Sequence, residues 1–127
     1  MIEMLYAREN YEMAKRLLDV SELRQQAYAS NLANVETPGY RRLELDRSFE
    51  SQLRDAVRSG DIDQLRSFKP GLVEDTQTQA VRPDGNNVSV DSELLAMNRN
   101  ALEQEFLSQY VSSSLKRLKS AITSKVQ

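Results

Sequence analysis

The side chains able to move a proton or hold an ion are unevenly supplied in this sequence. It contains no His and no Cys, so the common zinc ligands and the imidazole of a catalytic triad are both missing. Acid–base chemistry would fall to Asp, Glu, Lys or Tyr. Two carboxylate pairs stand at suggestive spacing, Asp61 with Asp63 and Glu103 with Glu105. On a helix a spacing of two points such groups apart, and in a solvated turn it leaves them ordinary. Asp61-Ile62-Asp63 also lacks the oxygen-ligand series and the glycine of a calcium loop. Gly39, Gly60, Gly71 and Gly85 are isolated, which excludes a glycine-rich phosphate loop. The expectation is no catalytic, cofactor-binding or metal-binding residue, and an enzyme is the remote reading.

Charge narrows the partners. Seventeen Lys and Arg stand against nineteen Asp and Glu, a net charge of −2. Phosphate backbones reward dense basic clusters, so no nucleic-acid partner is expected. Lys116, Arg117, Lys119 and Lys125 gather near the C-terminal end, where they favour a helix dipole and read as a solvated face. Arg41-Arg42 could be equally a solvated pair or a contact to an acidic partner. Met4, Met13 and Met97 fall at helical positions and read as seam filler.

The elements that must position these groups are two long helices around an irregular middle. From about Ile2 to Ala33 there is no Gly or Pro, and Met13, Leu17, Val20, Leu23 and Ala27 recur at steps of three and four. That periodicity predicts one amphipathic helix. It ends at Asn34, which can adopt a left-handed conformation. Thr37-Pro38-Gly39 follows, with Gly39 placed for the positive φ of a type II turn. In the middle, Asp46 can cap a short helix bearing Phe49, Leu53, Ala56 and Val57, closed by Gly60. Asp61 with Gln64 resembles a capping box for one or two further turns. Residues 69–87 read as extended chain and turns, with a short hairpin expected around Pro83-Asp84-Gly85-Asn86. The last helix should start with Asp91 or Ser92 as cap and carry Leu95, Leu102 and Phe106, then Leu107, Val111, Leu115, Leu118, Ile122 and Val126.

The expected fold is therefore mainly α. Its terminal helices, 1–34 and 91–127, pack as an elongated coiled-coil-like hairpin, and 35–90 forms the turn and middle segment of the same single unit. At 127 residues, 39% apolar and with mean hydropathy −0.60, the chain can bury a seam but hardly a thick core of its own. A subunit that completes its packing with neighbours fits these numbers. Met1 to Tyr11 lacks the apolar run and small-residue cleavage site of a secretory signal. No stretch approaches the ~20 apolar residues of a membrane span.

One stretch is distinctive: Ser30-Asn31-Leu32-Ala33-Asn34-Val35-Glu36-Thr37-Pro38-Gly39-Tyr40-Arg41-Arg42. It resembles the signature of the flagellar rod and hook protein family, a helix ending in Asn-Leu-Ala-Asn followed by Thr-Pro-Gly-Tyr and a basic residue. Asp84 to Leu94 is similar to the stretch that opens the last helix of proximal rod members, and Asn98 to Ile122 continues the likeness. Val35-Glu36 departs from the pattern of many relatives. The resemblance implies a structural subunit of the basal-body rod, exported without a cleaved signal and polymerising through its terminal helices into the drive shaft for motility. Its implied partners are copies of itself, other rod proteins, and the membrane-ring and export-gate proteins at the rod base, with no cofactor and no direct membrane span. The motif turn would comprise Asn31, Asn34, Thr37, Pro38, Gly39 and Tyr40, with Asn31 and Asn34 satisfying backbone groups at the helix end. Leu17, Leu23, Leu32, Leu107, Leu115, Leu118 and Ile122 would form the assembly seam. Phe49 and Leu53 resemble a short export-gate recognition motif, and equally one face of a short helix. The alternative from another class is a cytoplasmic helical-hairpin adaptor or chaperone, which cell fractionation would distinguish.

Overall fold

The computed structural model describes residues 2–80 and 82–125, with side chains from 8 to 124 apart from 81. Met4, Lys125 and Val126, singled out above for their side chains, lie outside that set. The elements run α1 (Ile2–Ala33), β1 (Leu43–Leu45), α2 (Arg47–Ser59), α3 (Ile62–Ser67), β2 (Leu72–Glu74) and α4 (Val90–Lys125). The chain is mainly helical, with the two long terminal helices packed together. No described helix is long and apolar enough to cross a membrane.

Helix α1 does not end as expected. Among the described residues positive φ is confined to Gly39, Gly60 and Gly85, so Asn34 is not left-handed. The helix instead tightens through short-range bonds, Val35 N to Leu32 O at 3.4 Å and Thr37 N to Asn34 O at 3.0 Å. The Asn34 side chain donates to Ser30 O at 2.9 Å, a second bond to a carbonyl that already accepts from Asn34 N at 3.1 Å. Next comes the turn closed by Tyr40 N to Thr37 O at 3.2 Å. Gly39 sits in it at φ +73°, a conformation that L side chains resist.

The short helices follow their caps. Asp46 accepts from Ser48 N at 2.9 Å, and Gly60 closes α2 at φ +72° with its N–H on Ala56 O. Asp61 accepts from Gln64 N at 3.0 Å. Among the described residues no strand flanks 83–86, where a hairpin was expected. The strand pairing is instead β1 with β2, antiparallel, Leu43 opposite Glu74 and Leu45 opposite Leu72. Arg82–Gly85 is a turn, closed by Gly85 N to Arg82 O at 3.1 Å. Pairing 43–45 with 72–74 lets the ladder close the loop that carries α2 and α3.

Three layers result, with α1 in the middle. One side of α1 meets α2, α3 and the strands around Val20, Leu45, Phe49, Leu53, Ala56 and Leu65, with Met13, Leu17 and Leu23 packed against them. Phe49 and Phe68 meet edge to face at 5.7 Å, the arrangement their ring quadrupoles favour. The other side of α1 meets α4 running antiparallel. Asn31 reaches Glu93 and Ser21 reaches Asn100, so residue numbers fall on one helix as they rise on the other.

Helix α4 begins at Val90, earlier than the expected cap, with Glu93 N on Ser89 O at 3.0 Å. Its inward face also differs from the expected stripe. Glu93, Asn100 and Ser114 are buried, and Met97, Gln104, Leu107, Val111, Leu118 and Ala121 are half-buried. These positions step by four and three in strict alternation, a heptad seam. Leu115 and Ile122, expected in the packed face, are 40% and 60% exposed and flank it. Leu102 and Phe106 are 69% exposed and, with exposed Leu95, lie opposite the seam. The bulky residues make the apolar stripe in the sequence. The folded chain buries smaller and polar ones, because α4 has α1 on one side only.

Candidate functional site

The two stretches that stood out in the sequence, 30–42 and 84–94, meet at one polar junction where α1 ends and α4 begins. Asn31, on the last turn of α1, is fully buried. Its carbonyl accepts from Leu43 N at 2.7 Å and from the Tyr40 hydroxyl at 3.0 Å. Its amide donates to Leu43 O at 2.9 Å and to Glu93 Oε2 at 3.1 Å. The side chain thus behaves as an extra rung on β1 rather than a cap on its own helix, a difference from expectation. With both functions doubly bonded, its burial carries no unsatisfied group.

The turn from 34 to 40 is held from the far half of the chain. Asn86, fully buried, donates its amide toward the carbonyls of Asn34 at 3.0 Å, Val35 at 3.0 Å and Thr37 at 2.9 Å. Its own carbonyl accepts from Val88 N at 2.8 Å. Gly39 N donates to Asp84 O at 2.8 Å, and Gly85 brings its backbone close enough that an added Cβ would stand 3.7 Å from Gly39 Cα. Thr37 bonds Asn34 at 3.2 Å, while Pro38 is exposed and shapes the turn through its backbone alone.

Arg42 is the hub. Its Nε donates to Glu93 Oε1 at 2.8 Å, and one terminal nitrogen to Asp75 Oδ2 at 2.7 Å and Glu44 Oε2 at 3.4 Å. Its backbone N–H donates to Asn87 Oδ1 at 2.7 Å. The planar fork of a guanidinium suits such divided contacts. Of the two expectations for Arg41-Arg42, Arg41 is exposed and Arg42 pairs with acids of its own chain. Burial works against the Arg42 charge, but the bonds to Asp75 and Glu93 outweigh it and hold its pKa above the ordinary value. At Asp75 burial pushes the carboxyl up. The Thr78 hydroxyl, the Arg42 guanidinium and the N–H groups of Thr78 and Gln77 outweigh it and hold the carboxyl well below the usual range.

That depression fixes a pH dependence. The ordinary Asp pKa is about 4, and the folded value lies lower. The contribution of Asp75 is whole above that range and is lost as pH falls below about 4 toward the folded value. Urea midpoints should therefore drop between about pH 7 and pH 3, and drop less in Asp75→Asn. Equal slopes in the two proteins would remove Asp75 from the account.

Chemically the junction can bind and hold, and its groups are spent on one another. Among the described residues no cluster of acids could hold a metal ion. Beside the junction runs an open groove of about 640 Å³ lined by Arg24, Tyr28, Glu50, Leu95, Arg99 and Leu102. Phe49 and Leu53 are buried in the core. Asp75 does not stand out in the sequence, and Glu93 does so only as part of the stretch Asp84 to Leu94. The one available signal for Asp75 was Asp75-Thr76-Gln77-Thr78, whose side-chain-to-backbone turn is a local habit of Asp. Nothing local marked its ion pair.

Comparison with known proteins bears on the same segments. The family model described as flagella basal body rod protein matches residues 22–41, the C-terminal third of α1 and the turn. The chain is 31% identical over 109 residues to the flagellar basal body rod protein FlgB of Borrelia hermsii, covering 72% of this chain and 78% of that one. It is 32% identical over 108 residues to the FlgB of Borreliella burgdorferi, with the same coverage of each.

Proposed function

Since the chain belongs to the FlgB family of flagellar basal body rod proteins, we propose that it is a structural subunit of the proximal rod. In this reading it polymerises through α1 and α4 with copies of itself and with other rod proteins, in the periplasmic part of the basal body. It has the family's structural role, with the membrane-ring and export-gate proteins as neighbours at the rod base. The assembled rod is the drive shaft of motility.

The observation that carries the reading is the outward face of α4. Among the described residues none of its apolar side chains is in the buried core, while Leu94, Leu95, Leu102, Phe106, Leu115 and Ile122 are exposed. An apolar set of that size is unusual on a chain that works alone, and it suits a helix covered by neighbours. Leu32, Leu107 and Leu118 then belong to the pair within one subunit, with Leu17 and Leu23 on the core side of α1. Leu115 and Ile122 face the next subunit. The turn Thr37-Pro38-Gly39-Tyr40 sets the direction in which the middle segment leaves α1. If Phe49 and Leu53 serve as an export signal, their burial makes it readable only while the chain is unfolded.

The test is made in a flagellated cell whose own copy is deleted. A tagged chain should restore swimming and co-purify with basal bodies, and Leu115→Asp should be exported yet absent from them. Recovery of the wild-type chain only in the soluble cytoplasm would overturn the reading in favour of an adaptor. Normal swimming with Leu115→Asp would remove that residue from the contact.

A further inference from the structure

The seam between α1 and α4 is a poor ruler. On α1, Ala14, Leu18, Ser21, Gln25 and Tyr28 follow at steps of four, three, four and three, and on α4 the facing layers include Leu107, Ser114 and Ala121. Apart from Tyr28, small and middling side chains repeat along both helices at the same period. A slide of one heptad, about 10 Å at 1.5 Å per residue, would set similar layers against one another. No large apolar knob from α4 is sunk deep enough to forbid it, since its buried residues are Glu93, Asn100 and Ser114.

Asn86 and Asn87, just before α4, tie its start to the end of α1 and to Arg42; along the seam itself two further polar ties depend on register. At one end Glu93 is clasped by Asn31 and Arg42. Two helical turns along, Asn100 donates to Ser21 O at 2.7 Å and to Gln25 Oε1 at 2.8 Å. The second tie is made at a cost, because the buried carbonyl of Asn100 has no hydrogen-bond partner. Both of its N–H contacts are to acceptors, so turning the amide over would not help. A buried carbonyl left unpaired has given up its bonds to water and gained none in return. A residue chosen only for stability at this position would be Leu.

We propose that Glu93 and Asn100 form a register lock that selects one alignment of α4 on α1 among heptad-spaced alternatives, at the expense of stability. A polar residue at a single seam position is known to specify register in this way in coiled coils. The lock fixes where Leu95, Leu102 and Phe106 stand along the molecule relative to the middle segment, and it does not depend on what those residues contact.

The absence of Cys makes the test direct. Cysteines placed at the exposed positions Gln26 and Ser113 of the full chain carry spin labels, and their separation is read by pulsed electron resonance. The parent should give a single narrow distance. Glu93→Gln combined with Asn100→Leu should add a second population displaced by about 5–10 Å while helix content by circular dichroism stays the same. Asn100→Leu alone should broaden the distribution and raise the urea midpoint, an outcome that loss of a merely structural bond would not produce. If the double variant loses its helix signal, the single variant decides by the same distance reading. One unchanged distance in the deciding variant overturns the proposal, as does a broad distribution already present in the parent.

Discussion

Arg42→Met should lower the stability of the folded chain by about 3–5 kcal/mol, the usual cost of removing one partner of a buried ion pair. The two acids would not suffer equally. Asp75 keeps the Thr78 hydroxyl and two backbone N–H groups. Glu93 keeps only the Asn31 amide among its side-chain partners, so most of the loss arises there. Against a total of about 5–15 kcal/mol for a typical domain, the effect is large. Urea denaturation near neutral pH measures it. The pair itself is not the source of a net gain that large. Removing both charges, Arg42→Met with Glu93→Met, should recover much of the loss, because desolvation and attraction then vanish together. Arg42→Lys should fall between, since an ammonium cannot divide its bonds among Glu93, Asp75 and Glu44 as the fork does. A loss below about 1 kcal/mol for Arg42→Met would mean that water reaches Glu93 as soon as the guanidinium leaves.

Phe106→Asp should leave the isolated chain within about 0.5 kcal/mol of the parent, the range for an exposed site away from special features, and abolish swimming. Burial of a Phe or Leu side chain is worth about 1.5–3 kcal/mol, and a carboxylate in its place would be desolvated without a partner. The penalty recurs at every copy in an assembly. Thermal melts of the purified variant and swimming of the complemented deletion strain are the two readouts. Swimming at the parental rate would show that the face opposite the seam is not a contact.

How much of this could be read from the chain alone varies by element. The two long helices, the caps at Asp46 and Asp61, and the glycines at 39 and 60 were legible because each rests on local chemistry: period, a short polar side chain, a positive φ. Residues 43–45 with 72–74 were not, because a three-residue strand carries no period and its partner is far away in sequence. The polar inward face of α4 escaped for a different reason. Hydropathy ranks Leu102 and Phe106 above Asn100 and Ser114, and only the one-sided packing of α4 reverses that order. Asn31 and Asn34 drew attention together, yet one serves a strand and the other its own helix end.

Asn86 closes the end of α1 across a separation of 52 residues, and Glu93 reaches Asn31 across 62. Chains rich in helix usually fold fast, since most of their contacts are local. Here α1 can wind early, but its last turn and β1 wait for a loop of some fifty residues to close, a step whose entropy must be met before any bond at the junction rewards it. The slow step of folding should therefore lie at the junction and not in the helices. A chain that emerges from its N-terminal end first would stay unfinished at residues 31–43 until residue 93 has followed.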